Sequence, residues 1–154
     1  MGYFGRITVG RSSTAIDGVT VLEVSDLGGG WWWTQYDGNP EGGLETLVAA
    51  SGAPALWAYV IDSDCADVEG LTPSGVRWHT YLHPDMAADY DAPPLSESPE
   101  EVLEQVLRWA AEAGLAADAD TVRRALGATN VFVEETLEGL VVALGLPVGR
   151  QDKR

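Results

Sequence analysis

No lysine or arginine occurs from Ser12 to Val76, a stretch of 65 residues that carries ten carboxylates. Over the whole chain 24 acidic residues face 9 basic ones, for a formal net charge of −15. Binding to nucleic acid relies on neutralising phosphates with basic side chains, so this balance argues against it. It argues equally against anionic membrane surfaces. What it favours is solubility and the steering of cationic partners. Lysine is nearly absent, with Lys153 its one occurrence, while alanine and glycine abound. That pattern resembles a GC-rich coding bias, which weakens any reading of the total charge as a device for one partner.

Other scarcities narrow the class. Cys65 is the single cysteine, so no internal disulfide can form, which fits a reducing compartment. No stretch approaches the ~18 consecutive apolar residues of a membrane span. The opening residues Met1–Arg6 lack the apolar core of a secretory leader, and Arg6 stands where a myristoylation signal carries Ser or Thr. A cytoplasmic protein is the expectation. Gly28-Gly29-Gly30 leads into tryptophans rather than a lysine and a helix, so it is no phosphate loop. No G-x-S-x-G elbow, H-E-x-x-H, paired C-x-x-C or dinucleotide fingerprint occurs, and no cofactor is expected.

What is present is enough apolar residue to build a core. Hydrophobic residues make up 45% of the 154 and the mean hydropathy is −0.04, too apolar for a disordered acidic chain. Tyr3–Val9 alternates, Val19–Val24 is rich in β-branched residues, and Trp31–Tyr36 is aromatic; all three predict strands. The glycine triplet between the last two suggests a hairpin. Asn39-Pro40 then opens a short helix carrying Leu44, Leu47 and Val48 on one face and stopping at Gly52. Ala55–Ile61 is apolar at every position, which predicts a strand buried on both faces. A polar connection over 62–74 leads to another strand, Gly75–Leu82.

Beyond Pro84 the character changes. Ala92-Pro93-Pro94 is a stiff linker. Ser98-Pro99-Glu100-Glu101 combines an N-cap, an N1 proline and a capping-box glutamate, and heads the most strongly marked helix. Two further helices are predicted, from Asp118 or Asp120 to Leu126 and from Asn130 to Leu144, although Val131-Phe132-Val133 also suits a strand. Strands first and helices last predict an α+β fold: a mostly antiparallel sheet of about five strands, one short inserted helix, and three C-terminal helices packed on it. One domain over 1–148 is expected, with a subdivision near 92–97 as the alternative and 149–154 as a polar tail.

Three constellations bear on function. Asp62, Asp64 and Asp67, followed by Glu69, end the most apolar strand. Asp62 and Asp64 are the one pair suited to a hard divalent ion, but their spacing is not that of an EF-hand loop. The bland alternative is a solvated loop. Second, Arg77, His79 and Tyr81 share one face of a strand, beside Trp57 and Tyr59, and either line a pocket or form plain sheet surface. His79 and His83 lie about 13 Å apart on an extended strand and cannot share one metal ion. Third, Trp31, Trp32 and Trp33 must alternate faces, so they are either core filler beneath the C-terminal helices, with Trp109 opposite, or an exposed interface or planar-ligand platform. A Cys65–His79–Asp grouping holds the ingredients of a thiol nucleophile, yet the surrounding carboxylates raise the thiol pKa.

The reading that follows is a non-catalytic acidic module that binds a protein partner, a basic one in its electrostatic version. An inhibitor or immunity-like, toxin-neutralising protein is one concrete form. The rival is a small enzyme or a ligand- or divalent-metal-binding protein with its pocket at the ends of strands 55–62 and 75–83. A homodimer through a strand edge or the tryptophans is a third.

Overall fold

The three segments of strand character near the start form β1 (Gly5–Gly10), β2 (Thr20–Gly28) and β3 (Trp31–Asp37) in a computed structural model that describes residues 2–11, 19–38 and 43–147. Then come α1 (Leu44–Ser51), β4 (Ala55–Ile61), β5 (Cys65–Leu71) and β6 (Arg77–Leu82). Four helices complete the order: α2 (Pro84–Asp89), α3 (Pro99–Glu112), α4 (Ala119–Leu126) and α5 (Val133–Ala143). The strands make one antiparallel sheet in the order β2-β3-β1-β4-β5-β6. The fold is α+β, as expected, with a sixth strand and a fifth helix among the described residues.

The two faces of the sheet are covered unequally. On one face Ile7, Val9, Trp33, Leu56, Val68, Trp78 and Leu82 share a core with Val106 and Trp109 of α3, Val122 of α4 and Leu137 and Leu140 of α5. On the other face Leu44, Leu47 and Val48 of α1 pack against Ala55, Trp57 and Leu71. Strand β4 lies between these layers, which is why its sequence is apolar at every position. Trp109 is the hub of the larger core. It is fully buried, lies 6.3 Å from the Trp31 ring and 6.2 Å from the Trp78 ring, and its Nε1–H donates to the carbonyls of Ala55 and Leu71, both at 3.1 Å.

Local signals explain most element ends. Gly28, Gly29 and Gly30 all take positive φ, at 102°, 62° and 85°, a backbone course that side chains disfavour, and they turn β2 into β3. Ser98 and Glu101 exchange the reciprocal hydrogen bonds of a capping box at α3. Asp118 caps α4 through Thr121 N–H, and α1 ends on left-handed Gly52. The expected start of α1 at Asn39-Pro40 and the expected tail at 149–154 lie outside the described residues.

Two expectations are corrected and one alternative is decided. The segment 62–74 is not a polar loop, because it contains β5, paired to both β4 and β6. In β5, Ala66, Val68 and Gly70 face the helical core, while Asp67 and Glu69 stand on the opposite, more open face, so the acidic half of the alternation mimicked a loop. Pro84 does end the strand, but it also takes the first position of α2, after His83 turns the chain in a left-handed conformation (φ 57°). Val131 and Phe132 do not form a strand; Phe132 is the N-cap of α5 and its N–H is accepted by Glu135. Among the described residues, no helix is long and apolar enough to cross a membrane.

Candidate functional site

The β4–β5 turn is where the acidic cluster begins. Asp62 and Ser63 both have positive φ, 50° and 56°, a conformation that costs a non-glycine residue of order 1 kcal/mol. A dense set of hydrogen bonds holds them there. Asp62 Oδ1 accepts Gly2 N–H (2.7 Å), and Ser63 Oγ accepts Tyr3 N–H (2.8 Å) while donating to Glu134 Oε2 (2.9 Å). Ser63 N–H also donates to Tyr3 O, and Ser63 O accepts Val133 N–H at the start of α5. The turn thus ties the N-terminal segment to the last helix.

His83 extends the same tie inside the protein. Asn130 N–H points at its Nε2, so that nitrogen is the acceptor and Nδ1 carries the hydrogen donated to Asp64 O (2.7 Å). Thr136 Oγ1 lies 2.7 Å from Nε2 and completes the site. His83 is buried and joins the turn, α2 and α5.

Each carboxylate of the cluster has a partner in the fold. Asp64 Oδ2 accepts the Tyr90 hydroxyl at 2.8 Å. Asp67 Oδ1 meets His79 Nε2 at 2.5 Å. Glu69 accepts Trp57 Nε1–H at 3.1 Å and lies 3.6 Å from the Arg77 guanidinium, which is also paired to Glu45 at 2.8 Å. The open face of β4, β5 and β6 is therefore a ladder of compensated charges. Arg6 of β1 joins it, with its guanidinium 3.7 Å from the centre of the Trp57 ring and 5.4 Å from that of Tyr59. The Asp67 hydrogen bond raises the His79 pKa above its usual value, with burial opposing it. A group raised in this way stabilises the fold most at low pH. The contribution is complete below the ordinary histidine value of about 6.5 and disappears as pH rises through the raised folded value. An NMR titration of His79 should show a midpoint above 6.5 that falls in Asp67→Asn; a midpoint at or below 6.5 contradicts the pairing.

Uncompensated acidity lies next door, on α2 and the strap after it. From Trp78 to Leu107 there is again no lysine or arginine, against seven carboxylates. Asp85, Asp89 and Asp91 are exposed and form no ion pair among the described residues. Beside them two large apolar side chains face solvent, Met86 (36% exposed) and Tyr90 (41%). Between α2, the strap at 91–93 and the open sheet face is a cleft of about 260 Å³ whose lining includes Tyr59, Ile61, Cys65, Asp67, Tyr81, Tyr90 and Asp91. The Tyr81 hydroxyl donates to Pro93 O (2.6 Å) and holds the strap to β6.

The cleft stands where the ends of strands 55–62 and 75–83 were expected to make one. Tyr81 and Asp67 line it. Asp64 reaches it only through Tyr90, His79 approaches through Asp67, and Arg77 is turned toward Glu69 and Glu45. Asp62 and His83 are not part of it, and Asp62 and His79 do not converge. Asp62 and Asp64 have separate partners, and among the described residues no three His, Cys, Asp or Glu side chains are grouped as metal ligands. Cys65 is buried, and burial first, then Asp64 and Asp67, pushes its thiol up to about 11, so at neutral pH the nucleophilic thiolate is scarce.

The tryptophans divide by face. Trp31 and Trp33 are 1% and 3% exposed and fill the core under the helices, with Trp109 against Trp31. They have no surface to offer a partner. Trp32 is half-buried on the other face. The sequence did not flag α2, Met86, Tyr90 or Asp85–Asp91; the base-free run 78–107 was the available signal. No protein-family model, no curated protein and no solved structure matches this chain.

Proposed function

We propose that this protein is a non-catalytic interaction module that docks a basic protein partner on the acidic end formed by α2, the β4–β5 turn and the strap. The observation that carries this reading is the contrast between neighbouring carboxylates. Those of Asp62, Asp64, Asp67 and Glu69 are engaged inside the fold, whereas Asp85, Asp89 and Asp91 stand exposed around Met86 and Tyr90. Exposed like charges repel one another, while a cationic partner relieves them and speeds its own approach. The apolar pair supplies the desolvated contact that charge alone does not. An inhibitor that covers a basic, nucleic-acid-handling surface by placing carboxylates where phosphates sit is the concrete form we favour.

The test uses a fluorescent hexalysine peptide as a stand-in for a basic surface. Asp85→Asn/Asp89→Asn/Asp91→Asn should weaken binding about tenfold at low salt. The control variant Glu23→Gln/Asp37→Asn/Glu104→Gln, which removes three exposed charges elsewhere, should change it little. Binding should fall as salt rises. Equal losses in the two variants would mean that only total charge matters and would sink the docking surface.

A further inference from the structure

Resting on that reading, we infer that the cleft between Tyr59, Tyr81 and Tyr90 is a socket for an arginine side chain of the partner. Its walls are aromatic and its charged lining is acidic: Asp91 is exposed, and Asp67, whose Oδ1 meets His79, keeps a side chain 47% exposed. A guanidinium is flat, weakly hydrated and suited at once to aromatic faces and carboxylate edges. The molecule already contains one such arrangement on this sheet face. Arg6 lies over Trp57 and near Tyr59; burial lowers its pKa, and the charges of Asp67 and Glu69 act against that lowering. The cleft repeats those elements one step along the same face, sharing Tyr59 and Asp67 and leaving the central position open.

The local electrostatics agree with a cationic occupant. Tyr90 is pushed up to about 12, first by its hydrogen bond to Asp64, and Tyr81 is raised first by burial and then by Asp67. Cys65 moves the same way. Asp64 or Asp67 contributes to each of these shifts, and the same negative potential favours a bound cation. The cleft is also at the edge of the exposed Asp85–Asp91 surface, so a basic partner held there brings its side chains to the opening.

The probe is the tripeptide acetyl-Gly-Arg-Gly-amide, with the citrulline analogue as its neutral isostere, followed through backbone amide shifts. The arginine peptide should perturb Cys65, Asp67, Tyr81 and Tyr90, and the citrulline peptide should not. Tyr90→Leu should weaken the arginine peptide about three- to tenfold, while Tyr90→Phe, which keeps the ring and loses the hydroxyl, should stay within about twofold. If hexalysine still maps to the acidic end but the arginine peptide leaves the cleft unperturbed, or ignores Tyr90→Leu, the socket is refuted and the docking surface stands. If neither peptide perturbs this end of the molecule, both are refuted.

Discussion

Replacing Trp109 with alanine is expected to destabilise the protein by about 4–6 kcal/mol, the largest effect of any single substitution discussed. Large-to-small changes of a buried tryptophan cost about 3–5 kcal/mol through lost contact and the cavity left behind. Here the ring touches two other indoles, so the cavity would be walled by rigid Trp31 and Trp78 and collapse poorly. The Nε1–H also satisfies the carbonyls of Ala55 and Leu71, and each orphaned buried acceptor adds about 1 kcal/mol or more. Domains of this size have a net stability of about 5–15 kcal/mol, so the variant sits near its limit. Urea denaturation should show a midpoint shifted far down with little change in slope. Trp109→Phe keeps an aromatic ring and should lose less than half as much. A loss under about 1 kcal/mol for the alanine variant would mean that α3 is not anchored to the sheet through this ring.

Gly70→Ala is expected to cost about 2–3 kcal/mol or more, although it adds one methyl group to a strand. Gly70 pairs with Trp78 across β5 and β6, and the indole lies over it. A Cβ built there would sit 2.0 Å from Trp78 Nε1 and 2.3 Å from Cε2. The ring cannot swing aside, because Trp109 meets it edge-on at 87°. Relief should come from Trp78→Phe, which removes the clashing nitrogen. In a double-mutant cycle the two changes should couple by about 1–2 kcal/mol in the favourable direction. Additive effects would place the strain elsewhere.

Gly70 also shows where the sequence was legible and where it was not. Local signals with a local cause were readable: the Ser98 capping box, the apolar run of β4, the glycine turn before Trp31 and the stop at Gly52. Strand β5 was not readable, because two of its polar residues face an open sheet surface and its glycine looks like a breaker. Its function as room for an indole depends on Trp78, eight residues away in sequence and across a strand pair. The tryptophan triplet was half legible. Alternation requires that Trp32 oppose its neighbours, but which face is core depends on helices that begin some 65 residues later.

The functional surface shows the same division. The carboxylates from Asp62 to Glu69 drew attention as a string, yet their availability depends on partners far along the chain: Gly2, Tyr90, His79 and Arg77. Charge counts do not separate a neutralised carboxylate from a free one. That distinction moves the candidate contact from the turn itself to α2 and the strap. It also makes Asp62 and Asp67 poor choices for testing binding, since removing either disturbs a hydrogen bond of the fold.

The most direct test is residue-by-residue mapping of hexalysine binding by backbone amide shifts. The largest changes are predicted at Asp64 and at Asp85–Asp91. Changes concentrated on the opposite edge of the sheet, at Leu22 and Val24 of β2, or spread evenly over every acidic surface, would contradict the account.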